Sequence, residues 1–384
     1  MRIGIEAQRL FRPHKHGMDR VALELILNLQ VIDKENDYFI FVKPDQDQSV
    51  IQPTANFKIV EIPGGFYPWW EQFKLPKVAQ AYQCDLLHCT SNTAPNFGKT
   101  PLITTLHDII YMEGSWLKLL LNKASLYQKF GNLYRRIIVS KVVKNSRRLI
   151  TVSHFEKDNI SRFFNLNHKP IQTIHNGVNQ NFTATLAADQ LLKVKKAYQL
   201  PEDYLLHIAN TDPRKNTRGV LLAFDHYRKE VNASYKLVIL GIKEADLATI
   251  LNDINAAHLR QHIVLTGYVS DEDLPAIYQL SKLFLFPSLR EGFGIPIIEA
   301  MACGVPVITS NTSSMPEVAG NAAHLINPEK PEEICDGIIK ITTDASYKNE
   351  LVQRGLLQSK KFSWNNMAHQ VLEQYKQLYQ EIKS

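Results

Sequence analysis

The sequence predicts an α/β protein built twice over, with two open, doubly wound parallel sheets in separate domains. Three observations carry this. Short apolar runs alternate with helical stretches along most of the 384 residues. The rhythm lapses around Asn176–Ala187 and then begins again. Between Lys282 and Ser310 the run KLFLFPSLREGFGIPIIEAMACGVPVITS reads as one complete βαβ unit. A chain of this length is also long for a single core, so two domains are the natural division.

In the first half the predicted strands are 2–7, 38–43, 58–62, 86–90, 102–106, 149–153 and 171–174, with a helix over 21–29 after a loop that contains Gly17. That loop reads FRPHKHGMDR and lacks the GxGxxG fingerprint, which disfavours an ordinary NAD-dependent dehydrogenase. Phe66–Pro76 (FYPWWEQFKLP) reads as an aromatic, proline-rich surface stretch, with Trp69 and Trp70 either facing sugar or lipid or packed in the core. His107 and Asp108 follow the strand LITTL, where open α/β sheets place ligands. They are either a substrate-orienting or proton-handling pair or a satisfied structural one. The second alternation has strands over 204–208, 236–240, 263–265, 283–286 and 305–309, and the domain boundary is expected near Thr183. In SNTSSMPEV, Ser314 and Glu317 have capping-box spacing. Ser363 is a plausible N-cap for a last amphipathic helix that needs a partner surface.

Within the βαβ unit, Pro287 and Ser288 end a short apolar strand, Pro296 suits the first helical position, and Gly304 suits the residue that stops the helix. The intervening loop carries Glu291, Gly292 and Gly294, and Glu299 is expected in the first helical turn. A helix N-terminus suits a phosphate, glycines admit close backbone approach, and carboxylates accept from hydroxyls of ribose or hexose. Together these point to a nucleotide sugar. The alternative is that Glu299 complements the helix dipole and Glu291 is a solvated acid. Arg214 and Lys215 in TDPRKN, and Tyr268 and Val269 in GYVSDED, follow strands in the same way. Parallel strands deliver such loops to one edge, so Arg214, Lys215, Glu291 and Glu299 should converge there, the cations forming a diphosphate clamp.

Composition sets bounds. Hydrophobic residues make up 45% and charged residues 21%, as in a soluble globular protein. The opening MRIGIEAQRLF predicts no signal peptide, and no apolar run reaches bilayer-spanning length. The four cysteines show neither CxxC nor zinc spacing, which fits a reduced cytoplasmic compartment; Cys303 reads as a small buried hydrophobe. The net charge of +6 is uneven, with nine Lys/Arg and no Asp/Glu between Gly114 and Phe155. Aromatic and aliphatic residues interleave with these cations over 116–148. The pattern suits peripheral contact with an anionic membrane or an acidic acceptor, or else a helix with one solvated face. No nucleic-acid-binding motif accompanies the charge.

Taken together, EGFGIPIIEAMACGVPVI with its paired glutamates, DPRKN with its basic pair, HNGV at His175–Val178 and FSW before a last helix resemble glycosyltransferase family four, a retaining family of GT-B fold. WEQFKLP and TLHDI are similar to members that transfer mannose or related hexoses. The chain departs from the family pattern at Asp19 and at Ala209, where glycines are common. The resemblance implies a GT-B architecture of two Rossmann-like domains facing across a cleft: 1–182 on the acceptor side, 183–362 on the donor side, and the 363–384 helix packed back on the first. It implies transfer of a hexose, mannose from GDP-mannose as the leading choice, to a sugar or lipid-linked glycan in polysaccharide or glycoconjugate synthesis. Arg214, Lys215 and the Gly292, Phe293, Gly294 and Ile295 segment would hold the diphosphate, Glu299 the ribose and Glu291 the donor sugar. Tyr268 and Val269 would meet the base, and His107 and Gly17 would approach the transferred sugar and the phosphates. A basic pair neutralising the leaving group needs no metal, so neither metal nor further cofactor is expected beside the GDP- or UDP-linked co-substrate. A non-catalytic sugar-nucleotide-binding protein, and a UDP-sugar transferase or epimerase of the same fold, are the competing readings.

Overall fold

A computed structural model describes residues 1–113, 126–166, 169–231 and 234–384, with the backbone alone over 126–129. The chain divides into two compact units, Met1–Gly177 with Trp364–Ser384, and Val178–Ser363. The division falls before the expected Thr183 because the 178–182 segment is tied into the second unit. Val178 N–H donates to Phe362 O (3.3 Å), and the Phe182 ring packs on Tyr278.

In the first unit the described strands are β1 (Arg2–Glu6), β2 (Asp37–Val42), β3 (Phe57–Glu61), β4 (Leu86–Cys89), β5 (Leu102–Leu106), β6 (Arg148–Thr151) and β7 (Ile171–Thr173). They form one parallel sheet in the order β3-β2-β1-β4-β5-β6-β7. Helices α1 (Gly17–Ile32), α2 (Leu75–Ala81), α3 (Leu126–Asn145) and α4 (His154–Phe164) are its crossovers. Strands such as β2 are apolar and buried on both faces, as a sheet covered on two sides requires. α1 begins at Gly17, a full turn before the expected start at 21, because the Asp19 carboxylate accepts from His16 N–H (3.1 Å) and satisfies an orphan donor of the first turn.

The FYPWWEQFKLP stretch is helical rather than an irregular surface loop, with a π-helical Trp70–Lys74 leading into α2. Adjacent positions on a helical turn point to different sides, which separates the two tryptophans. Trp70 is fully buried with its indole N–H on Ile62 O (2.9 Å), and Trp69 is exposed against Phe73. Of the basic amphipathic stretch, Trp116, Lys118, Leu119, Leu120, Leu121 and Lys123 lie outside the described residues. Among the described residues no helix is long and apolar enough to cross a membrane.

The second unit carries β8 (Tyr204–Ile208), β9 (Lys236–Leu240), β10 (Ile263–Leu265), β11 (Leu283–Phe286), β12 (Val307–Ser310) and β13 (His324–Ile326), all parallel, in the order β10-β9-β8-β11-β12-β13. Its helices are α5 (Ala188–Ala197), α6 (Thr217–Val231), α7 (Glu244–Asp253), α8 (Leu274–Leu280), α9 (Ile295–Ala302), α10 (Pro331–Thr343) and α11 (Ala345–Ser359). β13 is absent from the expected strands. It is a three-residue edge with Leu325 exposed, so it shows no sustained apolar run. α9 is stopped by Gly304 at φ +72°, and Cys303 is buried beside it with its thiol pushed up by that burial.

The final helix, α12 (Trp364–Lys383), belongs to the first unit and packs on α1. Its buried stripe Trp364, Met367, Ala368, Val371, Leu372, Tyr375 and Leu378 keeps helical spacing. Tyr375 reaches into the sheet, where its hydroxyl meets His88 Nδ1 (2.7 Å), and His88 Nε2 meets Thr105 Oγ1 (2.8 Å). Burial drives His88 down to about 3, so the ring stays neutral and can both donate and accept. Replacing Tyr375 by Phe leaves a buried imidazole nitrogen unpaired. We expect a loss of about 1–3 kcal/mol in urea denaturation; an unchanged midpoint would refute this role for the hydroxyl.

Candidate functional site

The order of the second sheet reverses between β8 and β11, so the loops leaving these two strands turn away from each other and open a crevice at their carboxyl ends. Both expected charged motifs lie on these loops. After β8, Asp212 starts a 3₁₀ turn, Pro213–Lys215, by accepting from Arg214 N–H (3.0 Å). Its carboxylate also takes the Arg214 guanidinium (Nε to Oδ2, 3.0 Å). Burial alone would raise Asp212, but the hydrogen bonds from Arg214 outweigh it and hold the carboxyl below its usual range. Asn216 closes the turn at φ +55°, and its amide donates to Pro287 O (3.1 Å) and Pro328 O (2.7 Å). Gly219 is needed here, since a Cβ would lie 2.5–2.9 Å from the Asn216 side chain.

The result is that Lys215 crosses to the neighbouring loop. Its Nζ lies 2.7 Å from Glu291 Oε1 and 5.0 Å from the centre of the Phe286 ring. Leu289 N–H donates to Arg214 O (2.7 Å), which ties the two loops through their backbones as well. Both members of the ion pair are mostly shielded (22% and 16% exposed side chains), so the attraction is screened less than at an open surface.

Glu291 is itself fixed from β12's side. Ser313 Oγ donates to Glu291 O (2.7 Å), Glu291 N–H donates to Ser313 Oγ (3.2 Å), and Arg290 Nη1 donates to Glu291 O (2.8 Å). Ser314 corrects a sequence expectation: its hydroxyl does not cap the Met315–Ala319 helix but donates to Glu291 O (3.0 Å) and Phe293 O (2.8 Å). The spacing that suggested a capping box instead braces the glutamate loop. Gly294 adopts φ +107° immediately before α9, where a side chain would be strained. Glu299 lies in the second turn of α9, not the first, and is buried with the Tyr278 hydroxyl 3.1 Å away. Tyr268 stands largely exposed (67%) after β10, following Gly267 at φ +71°; Val269 comes next on the same loop.

The first sheet reverses between β1 and β4, and the remaining expected residues gather there. Gly17 is the first residue of α1, and a Cβ at that position would meet nothing within 4 Å, so no internal packing demands the glycine. Asp19 is buried and paired with Arg9 (3.2 Å), which neutralises it. His107 is buried, with its N–H on Asn92 Oδ1 (2.6 Å) and its Nε2 on Thr90 O (2.8 Å). A carbonyl partner requires Nε2 to carry the proton, which leaves Nδ1 a hydrogen-bond acceptor. Burial holds His107 below the usual imidazole range, so it stays neutral at neutral pH. Asp108 turns to Ile110 N–H (3.2 Å) instead of the imidazole, so the His–Asp pair is not formed.

Sequence reasoning missed the buried acids beside them. Glu71, inside WEQ, is fully buried and accepts from Tyr67 (2.6 Å), Gln72 (2.9 Å), Thr93 and Tyr134. Glu6 ends β1, accepts from Gln8 N–H (2.9 Å) through Oε1, and leaves Oε2 unpartnered. Burial first, and then Glu71 nearby, raise Glu6 from its ordinary 4.5 to about 7, against the pull of Gln8 N–H and Arg9. Between those values the unfolded chain has lost a proton that the folded chain keeps. Stability therefore falls as pH rises from about 4.5 to about 7 and is level above that. Glu6→Gln removes this segment and is expected to gain up to about 3 kcal/mol over wild type at pH 8 and almost nothing at pH 4. Parallel wild-type and variant melts across that range check it; equal differences at both ends would refute it.

The profile described as Glycosyltransferase Family 4 matches residues 17–182, and that described as Glycosyl transferases group 1 matches residues 189–358. The chain is similar to the O-antigen chain mannosyltransferase B of Escherichia coli, at 33% identity over 277 residues, or 72% of this chain and 70% of the relative. It is also similar to the serotype-specific mannosyltransferase WbdA of Escherichia coli, at 32% over 252 residues, where the match spans 64% of this chain and 31% of WbdA. In fold it is similar to a sucrose-phosphate synthase from Thermosynechococcus elongatus, with TM-score 0.75 and 18% identity over 99% of this chain and 100% of the other. It is likewise similar to Anabaena Alr3699/HepE in complex with UDP and glucose, with TM-score 0.73 and 16% identity over 98% and 99% of the two chains.

Proposed function

The chain belongs to the family-four glycosyltransferases, with the GT-B fold, and from that premise we propose that it transfers mannose from GDP-mannose to a glycan or lipid-linked glycan with retention of anomeric configuration. The observation that carries this is the Lys215–Glu291 pair at the β8/β11 crevice. A cation next to a carboxylate suits a departing diphosphate beside sugar hydroxyls, and so supports the reading. The mannosyltransferase names of the sequence relatives support the choice of sugar.

Arg214, Lys215 and the Gly292, Phe293, Gly294 and Ile295 backbone are assigned to the diphosphate, where charge grows as the anomeric C–O bond breaks. Each cation rests on a carboxylate, Arg214 on Asp212 and Lys215 on Glu291. Diphosphate binding exchanges part of these contacts for stronger charge-assisted ones. Glu299 accepts from ribose hydroxyls and Glu291 from the mannose. Tyr268 and Val269 meet the base. From the first unit, Gly17 is assigned to the phosphates and His107 to the transferred sugar, where its free acceptor nitrogen suits a hydroxyl. With two cations to neutralise the leaving group, the reaction is assigned no metal and no further cofactor. The protein is placed in the cytoplasm, with peripheral contact at the inner membrane face. The exposed stripe Phe130, Leu133, Ile137, Lys141 and Lys144 on α3 supports that placement.

Lys215→Ala and Glu291→Ala each remove a charge-assisted contact of about 1.5–3 kcal/mol. Transfer from GDP-mannose should fall roughly tenfold to a hundredfold in each, with the fold left intact by circular dichroism. Wild-type turnover in both would overturn the assignment. In a thermal-shift panel of GDP- and UDP-sugars, GDP-mannose should give the largest upward shift. A UDP-sugar shifting alone would replace the donor, and binding without transfer or hydrolysis would replace catalysis by sensing. The anomeric proton coupling of the product reads retention.

A further inference from the structure

At the end of the first sheet opposite to His107, three loops converge. Residues 95–101 precede β5, 144–147 precede β6, and 169–170 precede β7, so all of them enter the amino ends of their strands. They line a groove of about 720 Å³ that contains Lys99, Lys144, Arg147 and Lys169, with no Asp or Glu among its lining residues.

From this convergence we propose that the groove is a phosphate-binding site, distinct from the nucleotide-sugar crevice, that takes a phosphate monoester, a diphosphate or the phosphodiester headgroup of a lipid. Four cations drawn from three separate chain segments line one groove and repel one another, and an anion bridging them relieves that repulsion. Burial first, and then the charge of Arg147, lower the affinity of the Lys169 amine for the proton. The amine is held in place by carbonyls at the end of α3, Lys144 O (2.9 Å) and Val143 O. This leaves Lys99, Lys144 and Arg147 as the exposed heads, and none of the three has an ion-pair partner among the described residues.

The walls are built and not merely loose. Pro95 and Pro101 bound the Lys99 loop and limit its backbone freedom. Gly98 sits at φ +145° with room for only a close approach to Pro76, 3.2 Å from a built Cβ. Asn145 Nδ2 donates to Asn96 Oδ1 (2.8 Å) and ties two of the loops together. Phe97 projects from the rim, 65% exposed, which suits the acyl or isoprenyl portion of a lipid carrying that phosphate. The site does not depend on the proposed mannosyl transfer, and neither Lys99 nor Arg147 belongs to the donor machinery.

Lysine-acylation footprinting of the full chain, read by mass spectrometry, tests it residue by residue. One arm contains inorganic pyrophosphate, a second contains phosphatidylglycerol/phosphatidylcholine vesicles, and a third phosphatidylcholine vesicles alone. Lys193, exposed in the second unit, is the internal reference. Lys99 and Lys144 should be acylated roughly tenfold more slowly in at least one of the first two arms, and Arg147→Glu should abolish that protection. Protection by pyrophosphate identifies a soluble phosphate ligand. Protection by anionic vesicles alone identifies a lipid headgroup, and Phe97→Ala should then weaken it. No protection in either arm, protection of Lys144 without Lys99, or full protection in a folded Arg147→Glu protein would each overturn the proposal.

Discussion

Lys215 meets Glu291 because two strands adjacent in the second sheet send their chains in opposite directions. That single topological fact leaves a gap at their carboxyl ends which no crossover helix fills, and the two loops settle over it. Much of the surrounding structure serves the encounter. Asp212 shapes the turn that presents Lys215, Asn216 anchors that turn to Pro287 and Pro328, and Gly219 makes room for the anchor. From the other side two serine hydroxyls and Arg290 hold the Glu291 backbone. The ion pair is therefore an end point of rigid scaffolding and not a chance contact between long side chains, which at a surface would contribute little.

The frame of the molecule was legible because parallel sheets covered on both faces are written as uninterrupted apolar runs. β5, β8, β9, β10 and β11 coincide with their expected residues for this reason. β12 and the start of α1 were shifted by two to four residues, since helix and strand ends are set by capping contacts that pattern alone does not carry. β13 was missed because a short edge strand with one exposed apolar residue resembles a loop.

At the site, the glutamates and the basic pair were legible from where their loops sit relative to strands. The supporting shell was not. Ser314 obeyed a local spacing rule and a tertiary contact overrode it. Glu6 and Glu71 look like ordinary acids in sequence, and the burial of Glu71 depends on a π-helical turn and on donors such as Tyr134 and Thr93, remote along the chain. Buried acids of this kind stay only where the fold supplies their partners or leaves them protonated, so they mark places where the sheet edge has been kept polar at a cost in stability.

The last helix completes the first unit although almost the whole second unit precedes it in the chain. Val21, Ala22 and Leu25 on α1 lie against Met367 and Val371, and His88 waits on Tyr375. During synthesis these surfaces remain uncovered until residues 364–384 have left the ribosome, whereas the second unit is already whole by Ser363. The order of assembly thus runs against the order of translation: the second unit is able to mature first, and the unit made first closes last.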